Sequence, residues 1–199
     1  MNFLSQAFEQ AALTFGDNVK DLGIYLDNHD TDRFLSSCGK DPMKFLSGVA
    51  LQHTWIGIPV LYYGTEQEMY GSNNFANENA EKMWGPQSYN QSSKYYLLIK
   101  KLNQIRDKVK IDKIGQKELK VTIDFYSYSR GNQVLVALTN QGYYKKQQLH
   151  YIVPNSPFES NTRICDILSD ECINVNEDES VDIYLTNGQP RVYVRESLM

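Results

Sequence analysis

The sequence predicts an α/β part followed by an all-β part within one chain of 199 residues. Three observations carry this expectation. Short apolar runs alternate with helical patterns up to about residue 112. Beyond that point, alternating apolar positions recur in short runs separated by turn residues. The composition, 41% hydrophobic and 22% charged, belongs to an ordinary packed chain rather than a disordered one.

The elements follow in order. Phe3, Leu4, Ala7, Phe8, Ala11, Ala12 and Phe15 recur at helical spacing, and the Gly16-Asp17-Asn18 stretch ends that helix. "LGIYL" (22–26) is a short apolar run between a glycine and a polar cluster, which predicts a buried strand. Asp41 is a good N-cap, with Pro42 at the first helical position. The helix after it turns Phe45, Leu46, Val49, Ala50 and Trp55 inward. "GIPVLYYG" (57–64) predicts a second buried strand, and a polar loop runs from Thr65 to about Asn90. "SSKYYLLIKKLNQIRDKV" (92–109) is amphipathic, with Tyr96, Leu97, Ile99, Leu102 and Ile105 on its apolar face. From Lys113 onward the strands are short and divided at Arg130-Gly131-Asn132, Asn140-Gln141-Gly142, Pro154–Pro157 and Asn187-Gly188. That pattern predicts an antiparallel sandwich. The expected domains are therefore 1–112 and 113–199.

Buried strands alternating with helices imply a parallel sheet. Two parallel strands alone leave both outer edges unpaired. A (β/α)8 barrel needs about 250 residues, so 1–112 is expected to be only the last quarter of one, at the tail of a larger protein.

Composition also narrows the partners. A net charge of -4 argues against nucleic acid. No apolar run approaches the roughly 20 residues that span a bilayer, and the N-terminus does not read as a signal peptide. Cys38, Cys165 and Cys172 lack zinc spacing, so no metal ligands are assigned. Cys165 and Cys172 either pair across two short strands or stay as thiols.

"YLDNHDTDRF" (25–34) gathers carboxylates, an imidazole and a guanidinium behind an apolar run. Taken alone, Asn28, Asp30, Thr31 and Asp32 serve equally well as turn residues. "LDNHDTDRF" resembles the end of the seventh barrel strand in the alpha-amylase family of glycoside hydrolases. "GIPVLYYGTEQEMYG" resembles that family's eighth strand and the loop after it. "GSNNFANENAEKMW" resembles the next loop of fungal-type and related microbial members, and the segment ending "GQPRVYVRESL" resembles their C-terminal sandwich, a Greek-key domain.

The resemblance implies retaining hydrolysis of α-1,4-glucosidic bonds in starch or glycogen. It makes Asp30 the carboxylate that stabilises the transition state and His29 a neighbour binding the same sugar. The family's Asp and Arg in the later loop are replaced here by Asn74 and Glu78, which are therefore the expected substrate-binding positions there. Arg33 is expected to pair with Asp27 or Asp32. Tyr62, Tyr63, Glu66 and Gln67 are read mainly as packing and loop-bonding residues, and His53 as structural. Trp84 suits stacking on a sugar and packing equally. The nucleophile and general acid lie on earlier strands and are expected to be missing, so the isolated chain is expected to be inactive. Calcium is expected for a complete family enzyme, with no ligands here. An α-glucan partner, a monomer, and secretion or a digestive vacuole follow from the same resemblance. The competing readings are a non-catalytic α-glucan-binding protein and a related transglycosylase or α-glucosidase.

Overall fold

The structure, a computed structural model, describes residues 1–71 and 89–199. Helix α1 (Asn2–Phe15) leads through a 3-10 turn (Gly16–Asp21) into strand β1 (Gly23–Ile24). A short helix α2 (Phe34–Ser37) precedes α3 (Pro42–Thr54) and strand β2 (Ile58–Pro59). Helix α4 spans Lys94–Val109. Asp41 caps α3 by accepting from Met43 N and Lys44 N, and Ser93 caps α4 by accepting from Tyr96 N.

β1 and β2 pair in parallel, Gly23 with Ile58 and Ile24 with Pro59. The strands expected over 22–26 and 57–64 are thus much shorter as paired elements. The reason is the one anticipated for an incomplete sheet, since each strand has a single neighbour among the described residues. With no further strands beside them among the described residues, their apolar residues are only partly covered, as an incomplete sheet implies. Ile58 is 54% exposed and Val60 50%, while Ile24, Leu26 and Tyr62 are half-buried. Helix α1 has no fully buried residue, and Phe3 and Leu13 face solvent.

The β-rich part contains β3 (Gln116–Val121), β4 (Phe125–Arg130), β5 (Val134–Thr139), β6 (Gln148–Val153) and β7 (Arg163–Asp166). β8 (Cys172–Asn174), β9 (Val181–Thr186) and β10 (Arg191–Arg195) complete it. One antiparallel sheet has the order β3-β4-β5-β10-β7-β8, and β6 pairs with β9 in a second layer. The chain crosses between layers after β5, β6, β8 and β9, which makes this a sandwich of unequal sheets.

Every residue of β4 and β5 is buried. One face packs on β6–β9 through Phe125, Leu135, Ala137, Ile183 and Leu185. The other packs on α3 and α4, where Tyr126, Tyr128, Val136 and Leu138 join Phe45, Val49, Ile99 and Leu102 in one core. In α4, Ile99, Leu102 and Ile105 are buried as expected, and only the first turn departs. Tyr95 is buried against Phe45 at a ring-centroid distance of 4.7 Å, whereas Leu97 is 51% exposed and Tyr96 half-buried.

Several polar contacts among the described residues join the two parts, including Ile56 N donating to Gln116 Oε1 at 2.8 Å. Arg130, fully buried, donates to the carbonyls of Thr54, Ile111 and Ile114, each at 2.7 Å. Thr54 Oγ1 and Tyr128 Oη lie 2.6 Å apart. Asp41 Oδ1 also accepts from Tyr143 N at 3.0 Å. Gly142 lets that approach happen, because a Cβ there would lie 2.0 Å from Asp41 Oδ2.

Candidate functional site

The loop 28–33 leaves the C-terminal end of β1, and the turn after β2 leaves the same end of its parallel neighbour. Catalytic side chains sit at such strand ends in β/α barrels. The loop is braced at both ends. Asp27, 5% exposed, accepts from Phe34 N at 2.9 Å and lies 3.8 Å from Arg33 Nη1. Between these anchors Asn28 Oδ1 accepts from Asp30 N at 2.8 Å, and Thr31 Oγ1 accepts from Asn28 N at 3.1 Å. This Asx-type turn projects His29 and Asp30 outward. His29 Nε2 lies 3.2 Å from Asp30 Oδ2, and the two side chains are 78% and 76% exposed.

Arg33 carries the link to the second strand end. It is fully buried, donates to the Tyr63 carbonyl, and lies 4.4 Å from the Tyr62 ring centroid. Its main-chain N–H donates to Gly71 O at 3.0 Å. Gly64, at φ 86°, makes room for it, since a Cβ there would lie 2.7 Å from Arg33 Nη2 and 2.2 Å from Met69 Sδ. Burial pushes the Tyr62 hydroxyl up from its ordinary pKa. Arg33 pairs with Asp27, one of the two expected partners. Glu66 and Gln67 also bond within the loop, Glu66 Oε2 accepting from Gly64 N and Gln67 bonding both main-chain groups of Asn90.

Asn74, Glu78 and Trp84 lie outside the described residues. His53 is buried on α3, its Nδ1 2.9 Å from Val49 O, and desolvation lowers its pKa. The brace itself was only partly readable in sequence. The Asp27–Arg33 pairing was, but the docking of Arg33 on Tyr62 and Tyr63 joins residues 30 positions apart with no local signal.

Among the described residues, one group of three side chains is close enough to suit a metal: Cys165, Cys172 and Glu196. Cys165 and Cys172 form a disulfide, and calcium takes oxygen ligands. This group does not fit calcium.

The family model described as "Alpha amylase, catalytic domain" matches residues 4–85, and the one described as "Alpha-amylase, domain C" matches 118–199. Alpha-amylase 1 of Schwanniomyces occidentalis is 30% identical over 190 residues, covering 92% of this chain and 36% of the relative. A cyclomaltodextrin glucanotransferase of Geobacillus stearothermophilus is 35% identical over 128 residues, covering 63% and 17%. The structure of an alpha-amylase from Malbranchea cinnamomea superimposes with a TM-score of 0.82 at 25% identity, covering 90% of this chain and 38% of that one. The chain spans about a third of the length of the curated relatives it matches first. These relatives carry enzyme names, and none supports a non-catalytic glucan-binding protein. The chain belongs to the alpha-amylase family of glycoside hydrolases and corresponds to that family's C-terminal region.

Proposed function

We propose that this chain supplies the last two β/α units and the sandwich of an alpha-amylase-type retaining hydrolase acting on α-1,4-glucosidic bonds of starch or glycogen. The division falls at residues 1–112 and 113–199. The observation that supports this reading is the pair His29 and Asp30, side by side and exposed on a braced strand-end loop. In this reading Asp30 bonds ring hydroxyls of the sugar being cleaved and favours its distorted form, while His29 bonds the same sugar. The nucleophile and general acid that retaining hydrolysis requires come from earlier barrel strands, and these 199 residues do not supply them. In the same reading Asn74 and Glu78 are substrate-binding positions. There an acid-to-amide change and a basic-to-acidic change alter specificity. Calcium of the complete enzyme is held by residues other than those described. The assembled enzyme works as a monomer on glucan outside the cell or in a digestive vacuole.

A chimera tests the reading. These 199 residues replace the matching region of Schwanniomyces occidentalis alpha-amylase 1, and reducing sugar is measured from soluble starch. The chimera hydrolyses starch, and Asp30→Asn lowers kcat by roughly a hundredfold or more, as loss of a transition-state contact does. The isolated chain releases no sugar. Equal turnover with and without Asp30→Asn removes Asp30 from the chemistry. The glucanotransferase relative supports a second reading, transglycosylation, because the same strand-end residues serve either outcome. Cyclic or lengthened products from the chimera favour it.

A further inference from the structure

Asn90-Gln91-Ser92 is the only Asn-X-Ser/Thr triplet in the sequence, and we infer that Asn90 is an acceptor for an N-linked glycan. Such a triplet alone is a weak signal, but it marks a surface loop in a chain that enters the secretory route. Three structural observations show that the folded chain accommodates a glycan there. Asn90, Gln91 and Ser92 are all exposed. Asn90 Oδ1 accepts from Ser92 N at 2.9 Å, so the side chain is turned over its own triplet, and Nδ2 has no partner among the described residues. The hydroxyl that caps α4 belongs to Ser93, which accepts from Tyr96 N and donates to Glu66 O, so Ser92 keeps its hydroxyl out of the helix cap.

The compartment has a separate marker. Cys165 and Cys172 form a disulfide between paired residues of β7 and β8. Disulfides of this structural kind form in oxidising compartments, and the secretory lumen is also where asparagine is glycosylated. The transfer balances simply. Nδ2 of Asn90 forms a bond to the anomeric carbon of a lipid-pyrophosphate-linked oligosaccharide. The bond from that carbon to the phosphate oxygen breaks, the lipid pyrophosphate leaves, and Nδ2 loses one proton.

Position gives the glycan a consequence. Gln67, in the turn after β2, donates to Asn90 O and accepts from Asn90 N, at 3.3 and 3.2 Å. The acceptor is thereby fixed at the same strand end as the Asn28–Arg33 loop. The glycan stands beside the candidate site instead of on the sandwich.

The test expresses the full chain behind a secretion leader in a yeast, with a second acceptor triplet appended after Met199 to report lumenal delivery. Peptides from both medium and cell lysate are analysed by mass spectrometry with and without endoglycosidase, because transfer precedes folding. The peptide containing Asn90 is expected to carry a glycan that collapses to one N-acetylhexosamine on digestion. Asn90→Gln and Ser92→Ala abolish it, and Ser92→Thr retains it. An unmodified Asn90 in molecules whose appended triplet is glycosylated overturns the inference.

Discussion

Asp41 shows how much one carboxylate can hold. Its burial acts to raise its pKa, but the N–H donors of Tyr143, Lys44 and Met43 outweigh that and keep the carboxyl below the ordinary aspartate range. A depressed carboxylate contributes stability that is fully present above the unfolded pKa, roughly 4. That contribution is lost as pH falls through the lower folded pKa. Asp41→Ala is expected to destabilise by about 2 kcal/mol near neutrality, through the lost cap and the stranded N–H groups. Asp41→Asn keeps an acceptor but no titration, so its deficit relative to wild type should shrink in acid. Urea melts between pH 7 and 3 check this, and a deficit independent of pH would sink it. The cap was legible in sequence from Asp41-Pro42 alone. The third donor was not, because Tyr143 lies 102 positions away and arrives only through packing. The same limit applies at the candidate site. "NHD" and its strand-end setting could be read locally, whereas the buried seat of Arg33 depends on a second strand.

Elements were legible where their surroundings matched the usual case. α3 came out with its cap and inward residues as expected, because an amphipathic helix with one buried face encodes that face in its own spacing. β4 and β5 broke the alternation rule because both of their faces are covered, one by β6–β9 and the other by helices. The Phe-Tyr-Ser-Tyr-Ser-Arg run of β4 therefore buries its polar groups too, which is costly without partners. Tyr128 Oη meets Thr54 Oγ1 and Ser127 Oγ bonds the Lys120 main chain, whereas Tyr126 Oη makes no hydrogen bond among the described residues. Arg130 bonds three carbonyls, and although burial lowers its pKa to about 10 it remains charged at neutral pH. Replacing it by methionine strands the carbonyls of Thr54 and Ile114 and leaves Ile111 O only the 3.4 Å bond from Ile114 N. The expected loss is about 3 kcal/mol, read as a lower denaturation midpoint with an unchanged m-value. A loss below half of that would mean water reaches the site. The edge hairpin β7–β8 answers to a different constraint. Its disulfide closes a short loop, with a sequence separation of 7, and the double change Cys165→Ser, Cys172→Ser should cost about 2 kcal/mol. An equal melt for the oxidised protein and the double variant would make the bridge incidental.

At the scale of the molecule, the change of pattern near residue 112 is a change of architecture and not a gap in packing. Tyr126, Tyr128, Val134, Val136, Leu138, Val192 and Val194 sit in the same buried cluster as Phe45, Val49, Tyr95 and Leu102. Trp55 is wedged against Tyr126 and Tyr128 at centroid distances of 5.8 and 5.3 Å. Cutting the chain at 112 therefore uncovers an apolar face on each side. Sequence periodicity could not reveal this, since it shows which residues of an element are apolar but not which distant element covers them. The β-rich part reads as a self-sufficient sandwich, yet one face of its larger sheet is finished by α3 and α4. Residues 113–199 alone are expected to bind a hydrophobic dye strongly and to melt well below the full chain, and 1–112 alone to lack a cooperative transition. Mixing the two pieces should restore part of the full-chain melt and reduce dye binding. The exposed Ile58, Val60, Phe3 and Leu13 lie outside that shared core, so some dye binding should persist in the intact chain. If 113–199 instead melts at the full-chain temperature with no dye signal, the shared cluster contributes little, and the two parts are energetically independent despite their contact.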